Sequence, residues 1–221
     1  MTATVETLPV NRRRWTWPNW PAELCEDADG FHFDGDELNR NKFDECAHAV
    51  DSFDCPGLLS VLVDDGSLDL GRPDMAGVVA AVWASSEYAE SALTRARWVE
   101  LFRANGFDNR PAEPIQLFRG CTPGFQHFDA AGHLVGLDAY GQPADPYNEI
   151  VESRDVRCGM SWTTSLRAAR NFARAHLGGE VFAATVEPEF VLAVLGSDYV
   201  VDPAGLAVVA PIGVGIAAVT R

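Results

Sequence analysis

An arginine followed by a glycine, Arg119-Gly120, closes the short apolar run Ile115 to Phe118. A planar guanidinium grips a phosphate through two parallel hydrogen bonds. The glycine beside it lets a ligand or another backbone come close. The same arginine serves equally in a salt bridge to a local carboxylate. Further along, Ser161-Trp162-Thr163-Thr164 follows the turn Cys158-Gly159. In a strand the side chains alternate, so Ser161 and Thr163 face one side and Met160 and Trp162 the other. The hydroxyl side is placed to contact a ligand, while Trp162 anchors in the core.

Other chemistries find little support. His127 and His133 stand six apart with no carboxylate arrangement that defines a metal site, so no metal is expected. The carboxylates of Asp27 to Glu37 lack the EF-hand order and read as a solvated acidic face. Lys42 is the single lysine, which argues against a Schiff-base site. No GxGxxG follows a strand and no G-x-S-x-G elbow occurs, which disfavours dinucleotide-binding Rossmann and serine-hydrolase readings. The five cysteines are odd in number and form no CxxC, so neither a disulfide framework nor zinc is indicated. A reducing, cytoplasmic setting is expected, with no signal peptide and no run of about 18 apolar residues to enter a membrane.

The elements that must position Arg119 and the Ser-Trp-Thr run are readable in outline. Thr164 or Ser165 caps a helix over Leu166 to Leu177, with Leu166, Ala169, Phe172 and Ala173 inward and Gly178-Gly179 as its stop. Arg167, Arg170 and Arg174 recur along it as a solvated face or a cationic patch. Strands follow at Glu180 to Val186, Phe190 to Leu195 and Tyr199 to Val201, with Gly196-Ser197-Asp198 as a turn or bulge. Residues 206–219 read as one or two closing strands. Residues 121–158 form a long connection that is either partly structured or functional.

Upstream, residues 74–105 read as helical. One segment carries Val78, Val79, Ala81, Val82 and Ser85 behind an Asp74 cap. Another runs from Glu87 to Asn105, with Ala89, Ala92, Leu93, Ala96, Val99 and Phe102 on one face and Gly106 as its stop. They are two helices or one kinked helix. Residues 23–74 suggest a short helix, a strand at Leu58 to Val63 and a turn at Asp64-Asp65-Gly66. Residues 1–22 look irregular. There Arg12-Arg13-Arg14 precedes Trp15, Trp17 and Trp20, a segment suited to stacking on bases, to docking a partner, or to folding back over the acidic region.

The 221 residues carry 17 basic and 32 acidic side chains, a formal charge of −15, which disfavours unspecific attraction to nucleic acid or anionic lipid. Residues 23–69 hold 14 Asp or Glu and only two basic residues, Arg40 and Lys42, so that window supplies −12 of the total. The expected division is an acidic N-terminal extension with its basic-aromatic arm, 1–74, and a functional domain, 75–221.

A family resemblance enters on particular residues. They are Leu117-Phe118-Arg119-Gly120, Gly159-Met160-Ser161-Trp162-Thr163-Thr164, Ala169 with Phe172-Ala173, Val181 to Pro188, Val191-Leu192-Ala193, and Tyr199 to Pro203. Together they resemble bacterial and phage ADP-ribosyltransferase domains of the class with an Arg, a Ser-x-Thr or Ser-x-Ser strand and a late Glu. The resemblance covers about residues 115–205, or runs to residue 221 if the last strands belong to it. It implies an α+β fold of two small, mostly antiparallel sheets around an NAD cleft, with a helical lead-in.

The resemblance also implies roles. Arg119, Ser161 and Asp198 would be catalytic. Arg119, Gly120, Ser161, Trp162, Thr163 and Phe172 would bind NAD, which is the substrate. Thr163 would support its strand, and Phe172, Tyr140 or Phe125 would stack on nicotinamide. Asp198 stands where the family has Glu, one methylene shorter, with Glu187, Glu189, Glu149 and Glu152 as other carboxylates. Gly196 stands where arginine-modifying members carry a second Glu, so the acceptor would not be arginine. The implied activity is transfer of ADP-ribose from NAD to a protein or nucleic acid by a toxin or effector, with an antitoxin or inhibitor as a possible partner and no membrane. NAD glycohydrolysis, or an inactive domain acting as a binding module, are the alternatives.

Overall fold

Short apolar–polar runs build antiparallel ladders in this chain, and amphipathic runs build the helices, giving a mixed α+β architecture. A computed structural model describes residues 5–7, 13–15, 20–27, 30–35, 38–106, 109–130, 134–138, 141–145, 147, 149–206 and 210–212. The chain divides into two units, 1–107 and 108–221. The expected division at 74/75 therefore falls inside the first unit, and the helical residues 75–105 fold with the segment before them.

In the first unit, β1 (Val5–Thr7), β2 (Arg13–Trp15), β3 (Leu24–Asp27) and β4 (Gly30–Phe33) form an antiparallel sheet in chain order. Arg13 to Trp15 are thus strand, not irregular, while Arg12 and Trp17 lie outside the described residues. Two helices follow, α1 (Arg40–Ala49) and α2 (Cys55–Asp64). The expected strand at Leu58 to Val63 is helix instead. Pro56 sits in the first turn, where its missing N–H costs nothing. Leu58, Leu59 and Leu62 then recur at helical spacing and are fully buried. That burial overrides the strand preference of Val61 and Val63.

The helical stretch divides into α3 (Val78–Ser85), α4 (Ala89–Ala92) and α5 (Arg95–Asn105). Asp74 does not cap α3. It lies in a 3-10 turn begun by Pro73 and pairs with Arg72 at 2.9 Å, which holds its carboxyl below the usual range. The segment from Glu87 breaks at extended Leu93, and Thr94 caps α5 by accepting the Arg97 N–H at 3.1 Å. The buried face of α5 is Trp98, Leu101 and Phe102, set by ring size. Trp98 packs edge-on to Trp83 at 4.9 Å and donates its indole N–H to Ala89 O at 2.7 Å. Asn105 accepts from Val79 N and donates to Leu70 O and Met75 O, closing the unit's backbone bonding.

The second unit holds a six-stranded sheet in the order β11-β12-β9-β5-β10-β13. Its strands are β5 (Ile115–Cys121), β9 (Ser161–Thr163), β10 (Glu180–Val186), β11 (Val191–Leu195), β12 (Asp198–Val201) and β13 (Ala210–Ile212). The long connection is partly structured. It carries a smaller sheet, β7-β6-β8, from β6 (Phe125–Phe128), β7 (Leu134–Val135) and β8 (Glu152–Asp155). Arg154 is buried there, bonded to Glu152 and lying 3.8 Å over the Phe128 ring.

Helix α6 (Leu166–Arg174) is capped by Ser165, whose hydroxyl accepts the Ala168 N–H at 3.1 Å. It lies on β5 and β10 through Ala169, Ala173 and Val181, with Phe118, Leu166 and Ile212 around them. The approach is as close as backbone allows. A Cβ on Gly120 would stand 2.0 Å from the Ala169 carbonyl oxygen, and one on Gly179 2.0 Å from that of Ala173. The Phe118 ring packs against this seam, and Phe172 is not among the residues that do. Phe172, expected inward, is 58% exposed.

Gly120→Ala is expected to destabilise the protein by about 1–3 kcal/mol by forcing α6 off the sheet, read as a lower urea midpoint. Alkaline pH is expected to act on the first unit. Burial pushes the Cys46 thiol up from 9.0 to about 12 and the Cys55 thiol to about 11. Below the unfolded value both states keep the proton and the stability is intact. Above it only the unfolded chain ionises, so stability falls from about pH 9 through 11–12. Urea unfolding followed by tryptophan fluorescence across that range should show the decline, and Cys46→Ala should lessen it.

Candidate functional site

The three-residue strand β9 lies between β5 and β12, so sequence-distant residues become neighbours. Thr163 pairs with Phe118 on one side and with Asp198 on the other, and Ser161 pairs with Val200. Directly paired residues share a face, and neighbours along a strand alternate. Ser161, Thr163 and Asp198 therefore belong to the face that carries Phe118 and Gly120. Arg119, Trp162 and Tyr199 leave the backbone on the other face.

Arg119 nevertheless reaches β9. Its Nη1 donates to Ser161 O at 2.7 Å and its Nε to Val156 O at 3.0 Å. The guanidinium fills the space above Gly159, where a Cβ would stand 2.1 Å from Nη2. Arg119 thus clamps the 3-10 turn Val156–Cys158 and the start of β9 onto β5. It also stands beside buried Cys121. Burial raises that thiol above its usual range, and the Arg119 charge offsets part of the rise.

Trp162 is buried as expected, its indole N–H donating to Gly159 O at 2.7 Å. Thr163 is also buried, and its hydroxyl donates to Ser197 O at 3.0 Å. The same carbonyl accepts the Thr164 N–H at 3.0 Å and the Thr164 hydroxyl at 3.3 Å. Thr163 Oγ1 in turn accepts the Ser165 N–H at 3.1 Å. Three donors on one carbonyl fix the hairpin turn directly before Asp198. Gly196 opens that two-residue loop at φ 70°, a conformation glycine adopts without strain. Ser161 and Asp198 are exposed, and the Ser197 hydroxyl lies 3.5 Å from Asp198 Oδ1.

The remaining candidates separate from this group. The close approach at Gly120 is taken by the α6 backbone rather than left for a ligand. Phe172 stacks on His176 at 4.7 Å on the exposed side of α6. Phe125 is exposed on β6, and Tyr140 and His133 lie outside the described residues. His127 bonds to the Ser153 hydroxyl at 2.8 Å. Glu152 is engaged by Arg154, while Glu149, Glu187 and Glu189 are exposed. Among the described residues no group of three His, Cys, Asp or Glu side chains is arranged to hold a metal ion. No helix there is long and apolar enough to cross a membrane.

Sequence reasoning did not single out the Ser197 carbonyl, the Val156 turn or Asp202. Main-chain acceptors leave no residue-type signal. Asp202 did have one: an Asp before Pro203 is a capping signature. Its buried carboxylate accepts the Ala204 N–H at 3.0 Å. Comparison with protein-family models, with curated proteins and with solved structures finds no match.

Thr163→Val keeps the shape and removes the hydroxyl. It is expected to cost about 1–2 kcal/mol and to speed amide hydrogen exchange in the Gly196–Tyr199 turn. Chemical denaturation and exchange measured by mass spectrometry check both.

Proposed function

We propose that residues 115–205 form an ADP-ribosyltransferase-like domain that cleaves NAD and transfers ADP-ribose to a macromolecular acceptor other than arginine. The observation that carries this reading is the strand order β12-β9-β5. It makes neighbours of three sequence motifs that the family uses together. An exposed hydroxyl, Ser161, and an exposed carboxylate, Asp198, share a sheet face, and a partly exposed guanidinium, Arg119, is fastened to the main chain of Ser161.

The chemistry suits that set. Breaking the nicotinamide–ribose bond sends its electron pair to the ring, so a cationic pyridinium leaves as neutral nicotinamide and needs no acid. Positive charge then grows on the ribose, where a fixed carboxylate stabilises it. Asp198 takes that role, Ser161 orients the ribose, and Arg119 supplies charge for the diphosphate while holding β9. The acceptor nucleophile closes the reaction at the ribose carbon and loses its proton. With water in that place the same site is an NAD glycohydrolase. Asp198 is a methylene short of the family's Glu, and that shortfall favours slow turnover.

Radiolabelled NAD incubated with the protein and cell lysate tests the reading. Label on protein or nucleic acid marks transfer, and nicotinamide released without labelled acceptor marks hydrolysis. Asp198→Asn is expected to lower either rate by about 10²–10³. Asp198→Glu is expected to raise it. Wild-type rates in Asp198→Asn, or no NAD turnover by any form, would remove the proposal.

A further inference from the structure

We propose that the exposed face of α6 binds a single-stranded nucleic acid. Between Val156 and Gly179 the chain carries no Asp or Glu, in a protein of formal charge −15. The cations in that run are Arg157, Arg167, Arg170 and Arg174. Arg157 is paired with Asp155 at 2.6 Å. The side chains of the other three make no hydrogen bond or ion pair with a described residue. This contrasts with Arg119 and Arg154 of the same unit, which are bonded.

At 3.6 residues per turn, Arg167, Arg170 and Arg174 fall within roughly 60° of arc and span about 10 Å along the axis. A row of evenly spaced guanidinium groups is suited to a chain of phosphates. The rest of the exposed face suits bases. Beyond the arginines lie Asn171, Ala168 and Ala175, all exposed and short. On their far side stands the Phe172–His176 stack. An aromatic pair, its rings tilted by 31°, separated from a cation row by small side chains matches a strand whose backbone follows the charges while a base stacks on the ring. An acidic peptide would use the arginines but would have no use for the ring.

The surface is defined without reference to NAD, so its test is separate from that of the transfer reaction. Fluorescence anisotropy of a labelled oligo-dT and an oligo-U strand, without NAD, is measured against salt. Wild type is expected to bind with log K falling against log salt by about 0.7 per phosphate contacted, near 2 for three arginines. The triple variant Arg167→Gln, Arg170→Gln, Arg174→Gln is expected to lose at least tenfold in affinity and most of that slope. Phe172→Ala is expected to lose about tenfold with the slope unchanged. Circular dichroism checks that both variants keep the fold; Arg167, Arg174 and Phe172 are exposed and Arg170 is half-buried. Absence of wild-type binding at low salt, or wild-type affinity in the triple variant, overturns the proposal. So does polyglutamate competing as well as the oligonucleotides, which would assign the patch to an acidic peptide.

Discussion

A strand of three residues makes too few ladder bonds to fix its own place, yet β9 is the strand around which the second unit's main sheet is ordered. Side chains at both ends supply what the ladder lacks. At its start the Arg119 guanidinium takes the carbonyls of Val156 and Ser161. At its end Thr163 and Thr164 converge on the carbonyl of Ser197. Hydrogen bonds from a charged donor are stronger than neutral ones, and Arg119 has such bonds to two parts of the main chain at once. The exposed Ser161 and Asp198 inherit their positions from these buried or half-buried neighbours. The groups open to solvent are not the groups that define the geometry.

Close backbone approach is the second constraint. Gly120 and Gly179 let α6 settle onto β5 and β10 with main chain against main chain, and Gly159 leaves room for a guanidinium. Ala169 and Ala173 keep the seam thin from the helix side. A seam built of glycine and alanine buries little apolar area per residue, so its stability rests on fit more than on hydrophobic transfer. It also turns the larger side chains of α6 outward. Phe172 is outside that seam and is exposed.

Much of the second unit was legible in its sequence. The strands of β5, β9 and β10, the Ser165 cap, the burial of Trp162 and the turn at Gly196 carry local signals of alternation, capping or glycine placement. Phe172 failed because helical periodicity shows which positions are eligible for a core, not how close the opposing surface lies. In the first unit, Leu58 to Val63 offered short apolar residues compatible with either period, and the Pro56 start decided for helix. The helix boundaries near Asp74 and Leu93 turned on a proline turn and a competing threonine cap. The candidate site was legible as residue types and not as contacts. Arg119 and Thr163 stand on adjacent strands, and both act on main-chain carbonyls that no residue identity announces.

Charge is arranged differently along the chain. In the first unit the cations sit with acids: Arg40 with Asp44, Lys42 with Glu23 and Glu45, Arg72 with Asp74, Arg95 with Glu90, and Arg97 with Asp64 and Glu100. The more exposed of these pairs contribute about 0–1 kcal/mol each, and together the pairs leave few cations open. On α6 the arrangement reverses. Arg167 and Arg170, then Arg170 and Arg174, stand three and four residues apart, where like charges destabilise a helix by a few tenths of a kcal/mol, about the size of one good pair. Arg174 gains from the helix C-terminus, but Arg167 stands in the first turn, where the dipole disfavours a cation. Glutamate at Ala168 or Asn171 would relieve this at no cost in packing, since both positions are exposed. A helix that forgoes such relief keeps an uncompensated positive row against its own stability, the pattern expected of a surface shaped by what it binds.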